Sequence, residues 1–313
     1  VGIFIKGLSM TINNNLEKFL GKKVVDWEVG SEIESPTKNA YRIRIDENDW
    51  DTTFTKFLKD PSVSKLTHLV IGTWSNYSLR DASSSHAIES IANASDKLKS
   101  LKAIFIGDIT YEEYEMSWIN QSDISPLVNA YPKLEYIGTR GQNGLKFGPV
   151  KHQNLKSVVV ETGGLPASVV EEICKSDLPN LEHLELWLGS EEYGCTTTVK
   201  TLKPILSGEL FPKLKYLGIR NSEKQDDVAK AVANAVILER IEILDLSLGN
   251  LSDKGAKHLL KSDLVKNLKK LDLHHHYCSD KVMEKLKQLS IKVDISEQED
   301  VEDEDELYIT VSE

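Results

Sequence analysis

The chain has 313 residues, 40% of them hydrophobic, and a formal charge of −11 at pH 7. That hydrophobic content suffices for a substantial core, in one large domain or two ordinary ones. Nine carboxylates and no Lys or Arg lie from Glu297 onward, leaving 40 acidic against 38 basic residues before it, so the body has no general attraction for nucleic acid or an anionic membrane.

In chain order, "VGIFIKG" is too short an apolar run for the core of a signal peptide, and residues 1–9 are expected to be an extension outside the fold. No stretch approaches the ~20 apolar residues of a membrane helix. Cys174, Cys195 and Cys278 are scattered without CxxC spacing, which argues against a disulfide framework and for a cytoplasmic location. The four N-x-S/T sequons at Asn76, Asn93, Asn120 and Asn250 are read as chance in a chain rich in Asn and Ser. Residues 10–65 read as an N-terminal cap with divergent first repeats. Within it "VVDWEVG" is one strand and "AYRIRID" another, with Ile43 and Ile45 inward.

From Leu66 the pattern apolar-x-x-apolar-x-apolar recurs as "LTHLVI", "LKAIFI", "LEYIGT", "LKSVVV", "LEHLEL", "LKYLGI", "IEILDL" and "LKKLDL". Only Thr139 breaks the apolar set, and most intervals lie near the leucine-rich-repeat period. "DDVAKAVANAVILER", "DKGAKHLLKSDLV" and "DKVMEKLKQL" carry apolar residues at helical spacing, each with Asp near its start as a capping candidate. Pro132, Pro179 and Pro212 each stand two residues before a strand and end the preceding helix. The alternation predicts an α/β solenoid over residues 66–295, a horseshoe with a curved parallel sheet on the concave side and helices on the convex side. Residues 296–313 form an acidic C-terminal segment in which "EQEDVEDEDE" cannot bury anything, while "LYITV" is predicted to dock back as a strand.

"LDLSLGNLSDKGAKHLL" resembles the strand, asparagine turn and helix of ribonuclease-inhibitor-like leucine-rich-repeat proteins. "FIGDITYEEYEMSWINQSDISPL", "ETGGLPASVV", "LEHLELWLG", "LGIRNSE" and "LDLHHHY" are similar to a family of bacterial cytoplasmic leucine-rich-repeat proteins with no established activity. The resemblance carries over no catalytic residue. Genes of that family often lie beside those of radical-SAM, ATP-grasp-like and phosphatase-like enzymes. It therefore implies a scaffold whose protein partner is an enzyme of a modification pathway.

Strand alternation sends the third, fifth and seventh residues of each repeat to the concave face. Those columns place Arg140, Glu161, Glu185, Trp187, Arg220, Asp245, Asp272 and His274 on one sheet face, a polar groove suited to a protein or peptide partner. Trp187, on a column expected to face solvent, is the aromatic anchor. Inserts after the strands at Leu66, Leu101 and Leu181 add Trp74, Asp108, Glu112 and Glu115 on the rim beyond the strand C-termini. In the second insert Trp118 and Ile119 are expected to pack inward. Its acids lack the glycine and terminal Glu of a calcium loop.

No GxSxG, P-loop, HExxH or GxGxxG motif occurs. The paired glycines of "ETGGLP" are read as turn formers. The expectation is a non-enzymatic protein- or peptide-binding scaffold without metal or cofactor, binding neither nucleic acid nor membrane. The alternative is a metal-dependent or otherwise catalytic solenoid centred on Asp272 and His274, with Glu185 and Asp245 as further ligand candidates. In "LDLHHHYCSD" the three histidines do not converge: His274 faces the ligand side, His276 takes the turn position and Cys278 a buried one.

Overall fold

The computed structural model describes residues 13–45, 47, 49–76, 79, 81–300 and 307–311. Contacts divide the chain into two units, Val1–Leu155 and Lys156–Glu313. Every segment with the apolar-x-x-apolar-x-apolar spacing forms a strand, because alternate residues can enter the core only from extended backbone.

In the first unit the strands are β1 (Lys18–Phe19), β2 (Lys22–Asp26), β3 (Ala40–Ile43), β4 (His68–Ile71), β5 (Ala103–Ile106) and β6 (Tyr136–Arg140). The helices are α1 (Trp50–Phe57), α2 (Ser85–Asn93) and α3 (Ser125–Ala130). Leu20 and Gly21 both have positive φ, the backbone of a tight two-residue hairpin, and β1 pairs antiparallel with β2. From β2 to β6 the strands are parallel and follow chain order. Ile43 and Ile45 are buried as expected. On the opposite sheet face Phe19 packs edge-on against His68, Phe105 and Tyr136, at centroid distances of 5.7, 6.4 and 5.2 Å. The hairpin thus closes this face of the first unit with aromatic rings. Burial there, helped by the Lys22 charge, pushes the His68 pKa down to about 4.

In the second unit the strands are β7 (Ser157–Glu161), β8 (His183–Gly189), β9 (Tyr216–Ser222), β10 (Ile243–Asp245), β11 (Lys270–Asp272) and β12 (Lys292–Asp294). The helices are α4 (Ala167–Lys175), α5 (Val199–Leu206), α6 (Gln225–Val232), α7 (Asp253–Lys261) and α8 (Asp280–Lys287). All neighbouring strands are parallel and in register, so Val158, Leu184, Leu217, Leu244, Leu271 and Val293 form one row. All but the half-buried Val293 are fully buried, and each such side chain stabilises the unit by roughly 1.5–3 kcal/mol. Both units are α/β in class, parallel strands alternating with helices in leucine-rich-repeat order.

The helix-start aspartates act differently from expectation. Asp226 does not cap α6; its carboxylate accepts from Ser252 N, Ser252 Oγ and Gly255 N at the start of α7. Asp253 likewise accepts from Ser279 N and Oγ at the start of α8. At these two junctions one repeat therefore satisfies N–H groups at the start of the next helix. An added Cβ at Gly255 would lie 2.5 Å from Asp226 Oδ1, which requires glycine there.

Strand ends in this unit share a turn. Asn221, Leu248, His275 and Glu297 all have φ between 51° and 66°, the left-handed region. Backbone bonds Asn221 N–Ser247 O, Leu248 N–His274 O and His275 N–Ser296 O tie these turns together. The segment Leu307–Val311 returns to this row, but as irregular chain with a bend at Thr310, held by side chains and one backbone bond, and not as a ladder strand. Residues 1–9, and the 301–306 part of the acidic run, lie outside the described residues.

Candidate functional site

On β8 to β12 the register lines up three outward-facing rows. His183, Tyr216, Ile243, Lys270 and Lys292 form the first, and Glu185, Gly218, Asp245, Asp272 and Asp294 the second. Trp187 pairs with Arg220 in the third, which Ser247 and His274 continue two residues past the second-row aspartates. Adjacent strands lie ~4.8 Å apart, so three of the four carboxylates are immediate neighbours. Such a row is tolerable only if cations interleave it.

Arg220 supplies the first. Its Nη1 lies 2.5 Å from Glu185 Oε1 and its Nε 3.4 Å from Asp245 Oδ1, with all three side chains no more than 7% exposed. The guanidinium also sits 5.1 Å from the Trp187 ring centroid, and Trp187 Nε1 donates to Glu185 Oε1 at 2.7 Å. Burial alone would raise the Glu185 pKa. The Arg220 charge and the His183 and Trp187 contacts outweigh it and hold the carboxyl well below the usual range.

Tyr216 supplies the second device. Its ring folds over Gly218, where an added Cβ would meet the ring at 3.1 Å, and its hydroxyl donates to Asp245 Oδ2 at 2.7 Å. His183 stacks on it with centroids 3.9 Å apart and planes 6° from parallel. Burial and the nearby Asp245 and Glu185 charges push the Tyr216 pKa well up, so the phenol remains a donor. The other Asp245 oxygen accepts from Ser247 Oγ and N, at 2.5 and 3.0 Å.

Asp272 is compensated from two sides, by Lys270 Nζ at 2.5 Å and His274 Nδ1 at 2.7 Å. Burial raises its pKa, yet these two partners bring it down to about 2. For His274, burial disfavours the charged ring, but the Asp272 contact outweighs it and raises the pKa above the ordinary value. Lys270 and His274 are 27% and 21% exposed in their side chains, and His274 Nε2 bonds to nothing among the described residues.

Six of the twelve sequence-predicted residues therefore converge: Glu185, Trp187, Arg220, Asp245, Asp272 and His274. Their exposure corrects the expectation. Trp187 is 4% exposed and is a wall of the charge network, not a solvent-facing anchor. Glu161 and Arg140 are equally buried; Arg140 Nη1 donates to Ile109 O, and its guanidinium lies 5.7 Å from the Phe105 ring. Asp108 is fully buried, accepting from Leu16 N and paired with Arg42 at 2.7 Å. Trp74 is buried and donates to Ala82 O. Glu112 is exposed and Glu115 half-buried; in the same insert Ile119 packs inward, whereas Trp118 is 41% exposed.

The sequence reasoning did not single out the half-buried layer of the third-residue column, His183, Tyr216 and Lys270. A signal was present in "YIGTR" and "YLGIR", where the same Tyr-x-Gly-x-Arg recurs. In both, the tyrosine folds over the glycine and the arginine is buried.

In "LDLHHHYCSD", His276 is buried and accepts from Cys278 N, while His275 approaches Gly249 O. Among the described residues no group of three or more His, Cys, Asp or Glu is arranged to hold a metal ion. Nor is any described helix long and apolar enough to cross a membrane.

No family model and no curated protein matches the sequence. Among solved structures, a Bacteroides fragilis protein determined by a structural genomics consortium aligns at TM-score 0.76 and 37% identity, over 82% of this chain and 74% of that one. The chain belongs to that protein's family. An internalin from Listeria monocytogenes aligns at TM-score 0.42 and 15% identity, over 84% of this chain and 69% of that one, too distant to argue from.

Proposed function

We propose that the chain is a non-enzymatic scaffold, and that the half-buried layer His183, Tyr216, Lys270 and His274 receives a protein or peptide partner. One observation carries this reading: each of those side chains is held from beneath by a buried carboxylate. Their rotamer freedom is already lost, so a partner meets donors whose ordering cost, ~0.5–1.5 kcal/mol per side chain, does not recur on binding. The leucine-rich-repeat organisation, commonly a protein-binding one, supports the same reading. An enzyme of a modification pathway is the partner that the sequence resemblance favours.

The Asp272–His274 contact supports a second reading, since an imidazole oriented by a carboxylate is a general acid–base arrangement. The raised His274 pKa suits a charged donor better than a base at neutral pH. The test is capture of the partner by full-length H183E/K270E. We expect affinity to fall about 10-fold or more, equivalent to ~1.4 kcal/mol, when measured well below the variant's own thermal midpoint, which the new carboxylates beside Glu185 and Asp272 will lower. Unchanged affinity rejects the surface. A partner that H274Q still binds but no longer converts favours the catalytic reading.

A further inference from the structure

We propose that the left-handed turn row of the second unit, with Tyr277, is a binding site for a short peptide of apolar-x-apolar pattern, occupied by the chain's own Ile309-Thr310-Val311. It is independent of the His183–His274 layer, because a different set of groups forms it.

Three features distinguish it from ordinary packing. First, the segment's main chain is read group by group. Asn221, fully buried, donates from Nδ2 to Val311 O at 2.5 Å and accepts from Val311 N at 3.0 Å. Thr310 N donates to Leu248 O at 2.9 Å. The Tyr277 hydroxyl donates to Tyr308 O at 3.0 Å and accepts from Tyr308 N at 3.1 Å. A side-chain amide that pairs with both groups of one residue stands in for a strand edge, and main-chain pairing gives affinity with little regard to sequence.

Second, specificity comes from alternation. Ile309 and Val311 are 9% and 6% exposed, Thr310 between them is half-buried, and Tyr308 before them is 66% exposed. A segment is selected by small apolar side chains at i and i+2 and by a small residue between them, whose Oγ1 is closed off from solvent here.

Third, the receiving backbone is held in an uncommon conformation. Asn221 and Leu248 have φ of 51° and 66°. Asparagine tolerates this region better than other side chains, and the turn presents its amide to the segment while Leu248 O stays open to accept. Five acidic residues, Glu302 to Glu306, directly precede Leu307. Like charges in that run repel one another, and a free peptide of the same pattern without the run would not carry that cost when competing for the turn row.

The experiment uses full-length protein and a capped, fluorescein-labelled peptide Leu-Tyr-Ile-Thr-Val, read by anisotropy. I309D/V311D weakens the internal occupant, and we expect it to bind the peptide at least about 10-fold more tightly than the parent chain. Adding Tyr277→Phe, which removes one hydroxyl at a surface position, should weaken that binding severalfold; adding Asn221→Ala should abolish it. Because Asn221→Ala could disturb the fold, the Tyr277→Phe arm decides if that variant loses its circular dichroism. A peptide carrying Asp at both apolar positions should not compete. No saturable binding to I309D/V311D overturns the proposal. So does binding that is indifferent to Tyr277→Phe, or a parent chain that sediments as a dimer and becomes monomeric in I309D/V311D, which would assign the site to a second copy.

Discussion

Arg220 and Glu185 form a buried ion pair at 2.5 Å, walled by Trp187 and shared with Asp245. It allows Glu185 and Asp245 to be paved over by the half-exposed His183 and Tyr216. Removing the guanidinium leaves Glu185 and Asp245 buried without it. Arg220→Met is expected to cost about 3–5 kcal/mol in chemical denaturation. The double variant E185Q/R220M should lose less than the two single losses added, since each deletion removes the partner the other was hurting.

The two Tyr-x-Gly-x-Arg segments should respond unequally to the same substitution. An added methyl at Gly138 would lie 2.6 Å from Phe105 Cδ2 and 2.8 Å from the Tyr136 hydroxyl, between two packed rings. At Gly218 the nearest atoms are the Tyr216 ring at 3.1 Å and Glu185 Cγ at 3.2 Å, which can yield by tenths of an ångström. Gly138→Ala is predicted to destabilise by about 1–3 kcal/mol, and Gly218→Ala by less. Differential scanning calorimetry orders them; the reverse order would refute the Tyr-over-Gly packing.

These segments also mark what could be read from sequence alone. The strands were legible because a buried row of Leu184, Leu217, Leu244 and Leu271 forces one spacing on every repeat. The outward face was legible in direction but not in cover. Whether Trp187 meets water depends on Arg220 one strand away, and whether Phe105 does depends on Phe19 far earlier in the chain. Such closure is set by long-range contacts that period and alternation do not encode. "LYITV" alternates like a strand, yet no ladder receives it; its main chain is read by Asn221, Leu248 and Tyr277.

Stability should depend on pH through Asp272 and His274, with opposite signs. The His274 pKa is raised by folding, so its contribution is full below the unfolded value near 6.5 and is lost as pH rises through the folded value. The Asp272 pKa is lowered to about 2, so its contribution is full above the unfolded value near 3.9 and is lost as pH falls toward 2. The pair helps most between about pH 4 and 6.5. Denaturation midpoints of the parent chain minus those of H274Q should shrink from pH 6 to pH 8.5. A difference that grows over that interval would reverse the assignment. His68, buried and with a lowered pKa, titrates in both proteins and cancels.

The bridging aspartates couple neighbouring repeats. Asp226→Ala removes the acceptor of three donors at the start of α7 and should cost about 1–2 kcal/mol, the usual range for a lost helix cap. Amide exchange should speed up at Ser252 and Gly255, in the following repeat, more than within α6. Faster exchange confined to α6 would mean that Asp226 caps its own helix after all.

Site-specific photo-crosslinking tests the central claim most directly. A benzoylphenylalanine placed at His183 or Lys270, on the half-buried layer, is compared in the native host with one at Lys257 on the exposed face of α7. The scaffold reading predicts one protein adduct from positions 183 and 270 and none from 257. An adduct from 257 alone, or from all three equally, would contradict it.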